Sequence, residues 1–127
     1  MKRETSRWVR KAEADLEGAR DLAQAPRPYH DLICFHCQQS AEKYLKAFLI
    51  ECGVPFPRTH RLEDLLLLLV PHDASLRSLR RTLVTLSRYA VDYRYPDENA
   101  TKREAAAALQ QATKVRTQIR LRLGLPL

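Results

Sequence analysis

Two stretches of this sequence carry residues able to do chemistry. In "FHCQQSAEKYLKAFL" (35–49), a helical turn of about 100° per residue places His36, Gln39, Lys43 and Lys46 on one arc. Lysine holds anions, and histidine both binds them and moves protons near neutral pH. "RYAVDYRYP" (88–96) sets two arginines, three tyrosines and an aspartate just ahead of a proline. Arginine forks onto phosphate, and tyrosine stacks on a base or donates a proton. Content of this density at a helix end reads as a site rather than a linker.

Metal chemistry is not expected. "CFHC" offers Cys34, His36 and Cys37, with Cys52 further on. Along one helix Cys34 and Cys52 stand roughly 27 Å apart, whereas the ligands of one zinc lie within about 2.3 Å of it. All three cysteines are better read as small apolar fillers, and an odd count argues against a disulfide framework. No cofactor is expected.

The arc in 35–49 is unusual in its setting. Measured from Cys34, the residues Cys37, Ala41, Leu45, Phe48 and Cys52 form a core face. The opposite arc is polar in the middle but apolar at its ends, Leu32 and Ile50. It is either a partly exposed face with incidental apolar residues, the commoner arrangement, or a face that meets a second subunit around a polar pocket. Asp15 lies on the apolar arc of the preceding helix, between Trp8 and Leu22, and either reaches water or pairs with Lys43 or His36.

The elements that position these residues are helices. The first spans about Ser6 to Gln24, with Trp8, Ala12, Leu16, Ala19, Leu22 and Ala23 at helical spacing, and "APRP" ends it. The second spans about Tyr29 to Cys52 and stops at Gly53. Thr59 is placed to cap a short third helix, "HRLEDLLLLLV", ended by Pro71. A fourth spans about Ser75 to Ala90 with Leu76, Leu79, Leu83 and Leu86 inward. Thr101 and Glu104 have the spacing of a capping box for a fifth, to about Leu123, with Ala105, Ala108, Leu109, Ala112, Val115 and Ile119 inward. The expectation is all-α: an antiparallel up-and-down four-helix bundle with a short additional helix, one domain over residues 1–127.

Composition agrees. Three glycines in 127 residues favour helix, and no apolar run is long enough to span a bilayer. "MKRETSRWVR" has no signal-peptide character, so a cytoplasmic location and no membrane partner are expected. The net charge of +7 suits an anionic partner. Arg77, Arg81 and Arg88 align on the fourth helix, with Arg80 nearby, as a candidate phosphate track; a solvated face is the ordinary alternative.

Trp8 with Asp15 and Leu16, "FHCQQSAEKYLKAFL", "THRLEDLL" and "YRYPD" together resemble the HEPN domain (higher eukaryotes and prokaryotes nucleotide-binding), from Trp8 to about Ala112. The resemblance implies a homodimer or higher homo-oligomer with its functional cleft at the subunit junction. It also implies a minimal nucleotidyltransferase partner in a toxin–antitoxin-like system. Ribonucleases of that family use arginine, four to six residues, then histidine, and in one branch a tyrosine two residues later is nucleotidylated. Arg88 matches the arginine and Tyr95 the modified tyrosine, but Tyr93 stands at the histidine position and no histidine follows Arg88.

The reading that results is a subunit binding nucleotide or RNA phosphate through Asp15, His36, Gln39, Lys43, Arg94 and Tyr95. The alternatives are a metal-independent ribonuclease toxin with Arg88 and Tyr93 as catalytic residues, and a helical dimerisation module without a ligand.

Overall fold

A computed structural model describes residues 1–90, 92–93 and 95–127. They form α1 (Arg3–Ala23), α2 (His30–Glu51), α3 (Leu62–Leu69), α4 (Arg80–Arg88) and α5 (Lys102–Leu123), with a 3-10 segment, Ala74–Leu79, leading into α4. This is the expected all-helical bundle. Its centre is α2, which packs against α1, α5, α3 and α4. Being covered from several sides, α2 carries polar Gln38, Ser40, Glu42 and Lys46 into the interior beside Cys34, Cys37, Ala41, Leu45 and Leu49.

Two helix ends follow the sequence directly. After α2, Gly53 takes φ +70°, the left-handed conformation that glycine adopts without a side-chain penalty. The Val54 amide then donates to the Leu49 carbonyl (2.9 Å) and the Gly53 amide to that of Ile50 (3.0 Å), closing the helix as a Schellman motif. At the start of α5 both halves of the capping box form. The Glu104 amide donates to Thr101 Oγ1 (3.0 Å), and the Thr101 amide donates to Glu104 Oε1 (2.9 Å).

Two others differ. Thr59 does not cap α3: its hydroxyl accepts from the Arg61 amide (3.1 Å) in the loop before it. The free amide at Leu62 is met instead by Ser87 Oγ from α4 (2.8 Å), so the cap is tertiary. The expected fourth helix is α-helical only from Arg80. Before it, Asp73 accepts from the Ser75 amide (3.1 Å) and is itself gripped by Arg122 of α5 (2.6 Å), and the chain enters through the tighter 3-10 turn. The register expected to align Arg77 with Arg81 and Arg88 therefore breaks between them.

The described cysteines are free. Cys34 and Cys37 are wholly buried, and burial pushes each thiol up to about 12, so both stay protonated among apolar neighbours. Among the described residues no helix is long and apolar enough to cross a membrane.

Candidate functional site

Asp15 bridges two of the candidate residues. Its Oδ1 lies 3.0 Å from His36 Nδ1 and its Oδ2 2.5 Å from Lys43 Nζ. α1 supplies the carboxylate, and α2 supplies the two basic groups from positions about two helical turns apart, so the helix–helix contact itself builds the cluster. The Asp15 side chain is 14% exposed, Lys43 23% and His36 33%: the carboxylate is the covered member and the basic groups open toward solvent. An arrangement of this kind holds the Lys43 ammonium and the His36 ring in place where an anion could meet them.

A second cluster adjoins it on α2, and sequence reasoning did not identify its centre. Glu42 is almost wholly buried and takes three partners. Lys46 Nζ reaches its Oε2 at 3.1 Å, while His60 Nδ1 (2.9 Å) and Gln38 Nε2 (3.3 Å) meet its Oε1. Gln38 also donates to the His60 carbonyl (3.2 Å) and accepts from Gln39 Nε2 (2.7 Å). Lys46 lies 5.6 Å from the ring centres of both Trp8 and Phe56, which pack edge to face. So Lys46, placed on the polar arc with Lys43, is in fact buried and paired, and the only advance sign was the i, i+4 spacing of Gln38, Glu42 and Lys46.

The third grouping lies where α4 ends. Asp31, Leu32, Phe35, Tyr89, Ala90 and Tyr93 line a hollow of about 270 Å³. The Tyr89 and Tyr93 rings stack at 5.7 Å, and the Tyr93 hydroxyl donates to Glu104 Oε2 (2.5 Å). Burial, then the bond to Glu104, pushes the Tyr93 phenol well above its ordinary value. The Tyr93 hydroxyl is thus directed at the carboxylate of the α5 capping box, an arrangement that makes it a poor general base at neutral pH. Arg88 closes α4 and is exposed; Tyr95 is 62% exposed; Arg94 lies outside the described residues.

The predicted residues therefore fall into two places. Asp15, His36 and Lys43 form one cluster, with Gln39 tied to the Glu42 network beside it. Tyr93 belongs to the other, and Phe35, edge to face with His36 at 5.6 Å, stands between them. Leu32 (46% exposed) and Phe35 (38%) continue the same open strip of α2.

Comparison with known proteins identifies the fold and the family. The chain is similar to an archaeal HEPN homologue, ST0689, at 28% identity and a TM-score of 0.76, over 96% of this chain and 98% of that one. It is also similar to TT1696 from Thermus thermophilus, at 26% identity and a TM-score of 0.82, over 94% and 98%. No curated protein sequence matches it. The HEPN domain profile covers residues 5–121, all the helices that build these clusters, and the chain belongs to the HEPN domain family.

Proposed function

We propose that this chain binds nucleotide or RNA phosphate in a cleft at a homodimer junction and acts with a minimal nucleotidyltransferase in a toxin–antitoxin-like system. The observation that carries this reading is the strip on α2. Its polar centre, His36 and Lys43 braced by Asp15, is bordered by Leu32 and Phe35, large apolar side chains left open to solvent. A subunit contact buries such a border and leaves the basic centre facing a ligand. Arg88, exposed at the end of α4 and next in sequence to Tyr89 of the hollow that Phe35 lines, is the candidate phosphate-gripping guanidinium.

Ribonuclease action through Arg88 and Tyr93 has less support, because the Tyr93 hydroxyl is engaged as a hydrogen-bond donor to Glu104. The test is filter binding of labelled RNA and nucleotide to the purified chain, without metal, over a range of salt. Binding that weakens steeply with salt, and by about tenfold in Arg88→Ala, is expected. Binding that is absent, or indifferent to salt, rejects the proposal. Cleavage of the RNA by the wild type and not by Arg88→Ala would replace it with the ribonuclease reading.

A further inference from the structure

Residues 74–90 hold four arginines, Arg77, Arg80, Arg81 and Arg88, with no lysine and no acid among them. All four are exposed, and none has a carboxylate within salt-bridge distance among the described residues. Arg88, in the last turn of α4, suits the negative end of the helix dipole. Arg80 and Arg81 open the same helix, where the dipole disfavours them and no acid offsets it. Arg77 stands three residues before Arg80, and in a 3-10 turn residues three apart lie one over the other. Like charges so placed repel. The stability of α4 accounts for Arg88 and for none of the other three.

This face also has an apolar centre. Leu76, Leu79, Leu83 and Leu86 are buried and fix which side of the segment points inward. Val84 falls off that side, four residues after Arg80, three after Arg81 and four before Arg88. Helical spacing therefore surrounds it with three guanidinium groups. It is partly exposed, and among the described residues the apolar side chains packed on the core do not include it. An apolar middle inside a polar rim, with arginine prominent, is the layout of a protein-binding patch.

We propose that the outer face of α4 docks a helix of an acidic partner protein, one that carries carboxylates three and four residues apart around an apolar side chain. Each guanidinium fork takes a carboxylate in two parallel bonds, and Val84 packs on the apolar residue between them. A phosphate backbone would meet the cations but brings no apolar group for Val84. A second copy of this chain, at a net charge of +7, is repelled from the same face. The docking surface goes beyond the RNA cleft and shares only Arg88 with it.

The probe is a fluorescein-labelled peptide of about 20 residues, long enough for a helix to form in water, with a stripe of glutamates around leucine. Fluorescence anisotropy follows its binding to the full chain. A peptide of the same composition in scrambled order, an RNA oligonucleotide and phosphatidylglycerol vesicles are run beside it. The striped peptide is expected to bind several times more tightly than the scrambled one. Arg80→Glu with Arg81→Glu should weaken the striped peptide by about tenfold or more, since like charges then face each other, and should leave RNA binding unchanged. That double variant should melt no lower than the wild type, because acids suit the start of a helix, so its loss of binding is not unfolding. A peptide with lysine in place of each glutamate should bind the double variant and not the wild type. Val84→Ala should weaken the striped peptide several-fold and leave RNA binding unchanged.

No binding of the striped peptide overturns the proposal. So does equal binding of the scrambled one, or binding untouched by Arg80→Glu/Arg81→Glu. RNA or vesicles bound by the wild type and lost from that double variant, with no peptide bound, make the face a phosphate track or a membrane surface instead. Absent RNA binding beside intact peptide binding rejects the cleft and leaves this docking surface standing.

Discussion

At the scale of single residues, the decisive feature is a pair of covered carboxylates, Asp15 on α1 and Glu42 on α2. Asp15 is mostly covered and Glu42 almost wholly so, and each is met by one lysine and one histidine. Withdrawing a carboxylate from water is costly unless its partners are close and well aligned. Around Glu42 they are, and both members of the Glu42–Lys46 pair are buried. Glu42→Gln leaves Lys46 a buried charge without a counter-ion and should destabilise the fold by about 3 kcal/mol in urea unfolding. Glu42→Gln with Lys46→Met removes both charges and should recover most of that loss. If the double variant is as unstable as the single one, the pair is not what the network depends on. His60 has a side chain 67% exposed, and His60→Ala should cost under about 1 kcal/mol.

At the scale of elements, helix ends and helix contacts are fixed by groups far apart in the chain. Ser87 of α4 accepts from the Leu62 amide and donates to Glu63 Oε2 (2.8 Å each), joining the start of α3 to the last turn of α4. Ser87→Ala removes a cap and should cost about 1 kcal/mol in the same unfolding assay, with faster amide exchange confined to the first turn of α3. Unchanged exchange there would show that water replaces the hydroxyl at no cost.

Glu13 ties α1 to α5 and α2. The buried Tyr44 hydroxyl donates to it, and Arg116 Nε donates to it at 2.5 Å. Burial alone would raise its carboxyl, but the bonds from Tyr44 and Arg116 outweigh that and hold it below the ordinary 4.5. A carboxyl lowered in the folded state stabilises fully above its unfolded value. The contribution therefore disappears as pH falls below about 4.5 toward the folded value. Melting temperature should drop over that acid range, and less steeply in Glu13→Gln. Parallel curves for the two proteins would remove Glu13 from the account.

At the scale of the whole molecule, the open strip of α2 bears on the association state. Leu32 and Phe35 are exposed although α2 is otherwise the most enclosed helix. If a second copy covers them, Leu32→Asp with Phe35→Asp should shift sedimentation from dimer to monomer while the helical circular dichroism is retained. Wild type sedimenting as a monomer at tens of micromolar would contradict the homodimer. The hollow at Tyr89 and Tyr93 borders the same strip, so a dimer would also decide how open that end of α4 is.

The sequence alone determined the helical segments other than the 3-10 entry to α4, most of their inward faces, the glycine stop after α2 and the capping box of α5. Each depends on neighbours within about four residues, the range over which helical periodicity and capping chemistry act. It also offered Asp15 as a partner of Lys43 or His36, beside the alternative that Asp15 reaches water, and the packing of α1 on α2 decided between them. The α3 cap, the burial of Glu42 with Lys46 and its contact with exposed His60, and the tie between Tyr93 and Glu104 were decided only by tertiary structure. Their partners lie up to 25 residues away and come from separate elements, apart from Lys46, four residues along the same helix. Whether a polar residue on a helix meets water or a counter-charge depends on what packs over it, and local periodicity does not carry that information.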